Sequence, residues 1–200
     1  AHAATSPVDP GLPYSTDAYA YKFDPAKAKE LMGKSKSSKG FQTNLSYPAG
    51  DSTAKAMVSI VQNDLAAIGI TVKPQAVDGT TLSAQRRAGE FDIVYALSTS
   101  DILDPSQTMI FCCTYYGPAQ SGYTGWHDQK ADDLFKKTQT TMDPSVRGQL
   151  YAEWQKIIME KAPVLFMVNP ANTFAYSNSV HGFSLKPFGH YPLQIIWKSK

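Results

Sequence analysis

The stretch "STSDILDP", residues 98–105, sets two aspartates, Asp101 and Asp104, three positions apart where an apolar run ends. Paired carboxylates can share a proton as an acid–base couple. Local order separates these two. Asp104 precedes Pro105, and "SQTMIF" can follow as a helical turn, which makes Asp104 an N-cap whose carboxylate is occupied by backbone N–H groups. Asp101 has no such assignment. It lies just past the carboxyl end of a predicted strand, where α/β sheets place ligands. An uncommitted carboxylate there suits an ammonium group or another cation; a plain turn residue is the alternative.

Other chemistry-bearing residues form weaker sets. There is no G-x-S-x-G elbow, H-E-x-x-H or Walker loop. His127 with Asp128 could form a general-base pair, but adjacent residues seldom orient one another, and Asp128 or Asp132 suits a helix cap better. Cys112 and Cys113 are neighbours, a spacing unlike a redox or zinc motif, and with His127 they leave a metal ligand set incomplete. The sequence therefore calls for no cofactor and no metal. The loop "TYYGPAQSGYTGW" (114–126) packs Tyr115, Tyr116, Tyr123 and Trp126 among glycines. It reads either as aromatics packed on the core or as a ligand-facing wall.

The elements that must position these residues alternate between strand and helix. Asp24-Pro25 and Asp143-Pro144 each start a helix with a cap and a proline at the first position. The first carries Ala28, Leu31 and Met32 and ends at Gly33; the second carries Val146, Leu150, Trp154, Ile157 and Ile158. A third helix runs from about Thr53 to Ile68, with Met57, Ile60, Val61, Leu65 and Ile68 on one face, and Gly69 stops it. "TLSAQRRAG" predicts a short helix, and Ala131, Leu134, Phe135 and Thr138 mark another. Strands are predicted at 41–47, 70–77, 91–97 and, as a buried strand, 164–169. Such alternation argues an α/β lobe.

At 42% hydrophobic and 18% charged, the chain can bury a core. A formal net charge of +2 without a basic stripe excludes strong nonspecific attraction to nucleic acid. No segment has the roughly 20 apolar residues of a membrane-spanning helix. The start of the chain lacks the charged-then-apolar order of a signal peptide. With prolines at 7, 10 and 13, residues 1–20 read as an extended linker, followed by one α/β lobe over 21–200.

The ordered segments "YKFDPAKAKELM" (21–32), "VQNDLAAIGITV" (61–72), "RRAGEFDIVYALSTSDILDP" (86–105), "YTGWHDQKADDL" (123–134), "LYAEWQKIIMEKAPVLFM" (150–167) and "SVHGFSLKPFG" (179–189) resemble the C-terminal lobe of family 5 extracellular solute-binding proteins. These are the peptide and nickel receptors of bacterial ABC importers. The resemblance implies one lobe of a periplasmic-binding-protein-like (type II) fold, with a central mixed sheet flanked by helices. It implies that the receptor's N-terminal lobe, and the signal peptide at its head, lie outside this chain. It further implies secretion to the periplasm, or to the outer cell face as a lipoprotein, and a membrane ABC permease as partner. No nucleic-acid partner is implied.

By residue order, the aspartate that holds a peptide's α-ammonium in such receptors falls on Asp101. Leu97, Ser98, Thr99 and Tyr47 would line the same subsite. Ser98 stands where the family places an aromatic. "YPAGD" (47–51) stands where dipeptide-type members place an arginine and a tyrosine. A longer peptide, or another small cationic solute, is the expected ligand. One lobe alone would leave the carboxylate–ammonium contact in water, so weak binding by the isolated chain is expected. The alternatives from other classes are a stand-alone hydrolase using His127, and an interaction domain using the 114–126 loop.

Overall fold

The computed structural model describes residues 2–18, 21–98, 100–110, 112, 124–171, 173–184 and 193–199. Contacts divide the chain into two compact units, Ala1–Tyr21 with Ser98–Lys200, and Lys22–Leu97. That division differs from the expected linker followed by a single lobe.

The 22–97 unit is built on three parallel strands. β2 (Phe41–Pro48) pairs along its whole length with β3 (Ile70–Val77), and β4 (Ile93–Val94) pairs with Leu45 and Ser46. Helix α2 (Ser52–Ala66) carries the chain from β2 to β3, and α3 (Gly79–Ala88) carries it back across β2 to β4. Right-handed crossovers in opposite directions place the two helices on opposite faces of the sheet. Val58 of α2 closes a small core with Leu45, Ile70 and Val72, all buried. Ala54, Val58, Val61 and Leu65 form the inward stripe of α2. Ile60, expected on that face, is 54% exposed. In α1 (Pro25–Lys34), Met32 packs on this core while Leu31 points outward, and the helix runs past Gly33 to a Ser35 cap.

Capping follows the sequence closely. Asp24, Asp51, Asp78, Asp128 and Asp143 each accept a backbone N–H bond at the start of a helix. Gly89 ends α3 in the left-handed conformation (φ 71°). Gly40 (φ 86°) lies against Gly69 at the entry to β2 and β3. A Cβ on Gly40 would stand 2.1 Å from the Gly69 carbonyl oxygen, so the approach requires glycine.

The other unit packs α4 (Ser106–Ile110), α5 (Gln129–Thr140) and α6 (Pro144–Lys161) around Met109, Phe135, Trp154 and Ile158. On α6 the buried stripe includes Tyr151, Trp154, Gln155 and Ile158, whereas Val146 is exposed. Two short antiparallel ladders complete the unit: β1 (His2–Ala3) with β5 (Val168–Asn169), and β6 (Val180–His181) with β7 (Trp197–Lys198).

Residues 2–18 are not an extended linker. Val8 and Leu12 sit in the core of this unit, and Ala4 is buried. The amide of Gln155, itself fully buried, accepts from Ser6 Oγ (2.5 Å) and the Thr16 N–H (3.1 Å). It donates to the carbonyls of Tyr14 (2.9 Å) and Tyr151 (3.0 Å). A neutral amide with every bond satisfied can be buried without penalty, and here it stitches the N-terminal segment to α6.

Two predicted strands are shorter than expected. Only Ile93 and Val94 of 91–97 pair, because the Asp92 side chain takes the Asn44 N–H that a preceding strand residue would have bonded. Of 164–169, only Val168 and Asn169 pair, and Leu165 is 70% exposed, so this is an edge segment rather than a buried strand.

Candidate ligand-binding site

The local structure around "STSDILDP" gives Asp101 and Asp104 different surroundings. Asp104 is wholly engaged. Its Oδ1 accepts from the Ser106 N–H (2.9 Å) and the Tyr151 hydroxyl (2.6 Å), and its Oδ2 accepts from Arg147 Nη2 (2.8 Å). The Ser106 bond is the predicted helix-start contact. The two contacts to α6 had no local sequence signal.

Partial burial pushes the Asp104 carboxyl up, but the Tyr151 hydroxyl, Ser106 and the Arg147 charge outweigh it and hold the group below its ordinary value. Burial and the adjoining Asp104 carboxylate push the Tyr151 phenol up to about 12. Arg147 also donates to the Tyr151 hydroxyl (2.9 Å). Its guanidinium lies 5.9 Å from the centre of the Tyr14 ring, which stacks on Tyr151 at 5.2 Å. This carboxylate–guanidinium–phenol cluster bolts the 100–104 loop to α6.

Asp101 is exposed. Its Oδ2 accepts from Gln107 Nε2 (2.9 Å), and its backbone N–H donates to Gln107 Oε1 (2.5 Å). Among the described residues no donor reaches Oδ1. An anionic oxygen is thus presented to solvent from a loop whose base is held to the core, an arrangement that can accept a hydrogen bond from an ammonium or other cation.

The remaining predicted residues are distributed as follows. Ser98 is exposed and belongs with Asp101 to the unit containing 98–200. Leu97 (63% exposed) and Tyr47 belong to the 22–97 unit, where the Tyr47 ring packs against the Leu45–Val58 core at the carboxyl end of β2. Thr99 lies outside the described residues, as do Cys113, Tyr115, Tyr116 and Tyr123 of the aromatic loop. Trp126 packs on the core of its unit, and Cys112 is buried there.

His127 Nε2 stands 3.5 Å from Asp132 Oδ2, while Asp128 caps α5. Among the described residues no cluster of three metal-ligating side chains occurs.

One polar feature had no sequence signal. On the sheet face opposite α2, Asn44, Ser46, Gln75, Glu90 and Asp92 line a depression of about 340 Å³. Asp92 Oδ2 accepts from the Asn44 N–H (2.9 Å) and Nδ2 (3.0 Å), and Gln75 Nε2 donates to Asn44 Oδ1 (3.2 Å). Asn44, Gln75 and Asp92 thus bond to one another beside the start of β4.

The fold is that of a periplasmic-binding-protein lobe, an α/β body with a central sheet flanked by helices. The model of the bacterial extracellular solute-binding proteins, family 5 (Middle), matches residues 1–120, and the chain belongs to that family. It is 31% identical over 173 residues to the dipeptide-binding protein of Pseudomonas aeruginosa, covering 83% of this chain and 32% of the relative. It is 27% identical over 192 residues to the glutathione-binding protein GsiB of Escherichia coli, covering 92% of this chain and 37% of the relative. Among solved structures, the dipeptide binding protein from Pseudoalteromonas sp. SM9913 in complex with Met-Leu matches with a TM-score of 0.84 at 26% identity. That match covers 99% of this chain and 40% of the other. The chain therefore spans about a third to two fifths of these relatives' length, and they are named as binding proteins.

Proposed function

We propose that the chain is the C-terminal lobe of an ABC-importer receptor that captures peptides or a related small cationic solute, with Asp101 as the anchor for the ligand's ammonium group. The observation that carries this reading is the division of labour in one loop. Asp104 spends both oxygens on Ser106, Tyr151 and Arg147, whereas no donor among the described residues reaches Asp101 Oδ1. Membership of a solute-binding family, and relatives named for dipeptide and glutathione binding, support a peptide-like ligand.

In this reading the chain works with an N-terminal lobe of the same receptor and delivers its solute to a membrane permease. It acts outside the cytoplasmic membrane, in the periplasm or anchored at the cell surface. Closure of two lobes removes water from the ligand, and a carboxylate–ammonium contact strengthens as the surrounding dielectric falls. Catalysis is no part of this role. The test is to purify the receptor at full family length and identify co-purified solutes by mass spectrometry. A solute carrying an ammonium or other cationic group, lost on Asp101→Ala, is the expected result. A solute retained unchanged by Asp101→Ala would overturn the anchor.

A further inference from the structure

Beside Asp101 stands a side chain that touches the anchor twice. Gln107, on the first turn of α4, accepts from the Asp101 N–H at 2.5 Å and donates from Nε2 to Asp101 Oδ2 at 2.9 Å. Ser100 Oγ lies 3.2 Å from the same Oε1 and 2.7 Å from the Ile102 carbonyl. A backbone N–H can only donate, so Oε1 must face Asp101 N and the amide cannot flip. Nε2 is therefore committed to Oδ2. This bond turns the carboxylate so that Oδ1, and not Oδ2, is the oxygen offered outward.

The platform under Gln107 is rigid. Pro105 and Met109 flank it in sequence, both fully buried, and Asp104 ties the start of the turn to Arg147 and Tyr151. The Gln107 bond thus restricts the rotamers of Asp101 before any ligand arrives, which lowers the ordering cost of binding.

We infer that Gln107 is a positioning residue for ligand capture: its amide pre-orients the Asp101 carboxylate toward an ammonium group. This rests on the proposed role of Asp101 as the anchor. A leucine at this position would keep the bulk and lose both bonds. A glutamate would keep an acceptor for the N–H but set a second carboxylate against Oδ2.

The test uses the full-length receptor, a random tripeptide library with free N-termini, and the same library N-acetylated. Captured peptides are quantified by mass spectrometry, and the best one is titrated by calorimetry. The wild type is expected to capture free-amine peptides in preference to acetylated ones. Gln107→Leu should weaken the best peptide about tenfold, with an unchanged unfolding temperature and no change for any peptide captured in acetylated form. In an Asp101→Asn background, Gln107→Leu should cause little further loss.

An Asp101→Asn effect with no effect of Gln107→Leu would overturn the positioning role alone, as would an equal loss for free and acetylated peptides. No effect of Asp101→Asn would overturn the anchor and this inference with it, and capture of neither library would overturn Gln107 as a positioning residue for peptide capture while leaving the anchor to the co-purified solute.

Discussion

Replacing Asp104 by alanine should destabilise the unit containing 98–200 by about 2–4 kcal/mol. The substitution removes a cap-type bond to the Ser106 N–H, worth about 1 kcal/mol. It also removes charge-assisted bonds from Tyr151 and Arg147, worth roughly 1.5–3 kcal/mol when one partner is ionised. Breaking a fully buried ion pair costs more, about 3–5 kcal/mol. Here the Arg147 and Asp104 side chains are 25% and 23% exposed, so water compensates in part. Arg147 also keeps its bond to the Tyr151 hydroxyl and its place over the Tyr14 ring.

The loss should depend on pH in a defined direction. The Asp104 carboxyl titrates lower in the fold than in the unfolded chain. Its contribution is therefore present above the unfolded value, about 3.9, and disappears as pH falls through the folded one. Urea unfolding at pH 7 and pH 3, followed by tryptophan fluorescence, is the assay, since buried Trp154 lies on the same helix as Arg147 and Tyr151. Asp104→Ala should be clearly weaker than wild type at pH 7 and closer to it at pH 3. A change below about 0.5 kcal/mol at pH 7, or losses from Asp104→Ala and Arg147→Met that simply add, would refute the coupled cluster.

Tyr151 should stay protonated to about pH 12, visible as one late phase in the ultraviolet titration of the tyrosines. A phenol whose value is raised in the fold stabilises the protein below the unfolded value near 10, and that stability fades as pH rises toward the folded one. Tyr151→Phe should remove one tyrosine from the late phase, to which the raised Tyr95 phenol also contributes, and cost about 1–2 kcal/mol at pH 7. Gly40→Ala should destabilise the 22–97 unit by more than about 1 kcal/mol, measured by urea unfolding, because its Cβ meets the Gly69 carbonyl; a neutral effect would show that the two turns do not abut. Calorimetry on the 200-residue chain alone should detect no micromolar peptide binding, since an exposed carboxylate–ammonium pair contributes only about 0–1 kcal/mol.

Much of the fold was legible because its signals are local. Each Asp cap acts on N–H groups two or three residues away, and the apolar periods of α2 and α6 reveal an inward face. Errors arose where the deciding partner was distant. Nothing near Asp104 announces Arg147 and Tyr151, 43 and 47 residues on, and nothing near Val8 announces the amide of Gln155. The β4 strand starts late because a side chain, Asp92, competes for a backbone donor. At the site, the separation of Asp101 from Asp104 could be read from the proline and the following turn. The Gln107 contact could not, since a glutamine on a short helix is more often a solvated surface residue.

A crystal structure of the full-length receptor with its co-purified solute tests the central claim most directly. The distance to measure runs from Asp101 Oδ1 to the nearest cationic nitrogen of the solute. It should fall within about 3 Å, with Asp104 still bonded to Arg147. A solute seated beyond hydrogen-bond reach of Asp101, with that carboxylate left in water, would contradict it.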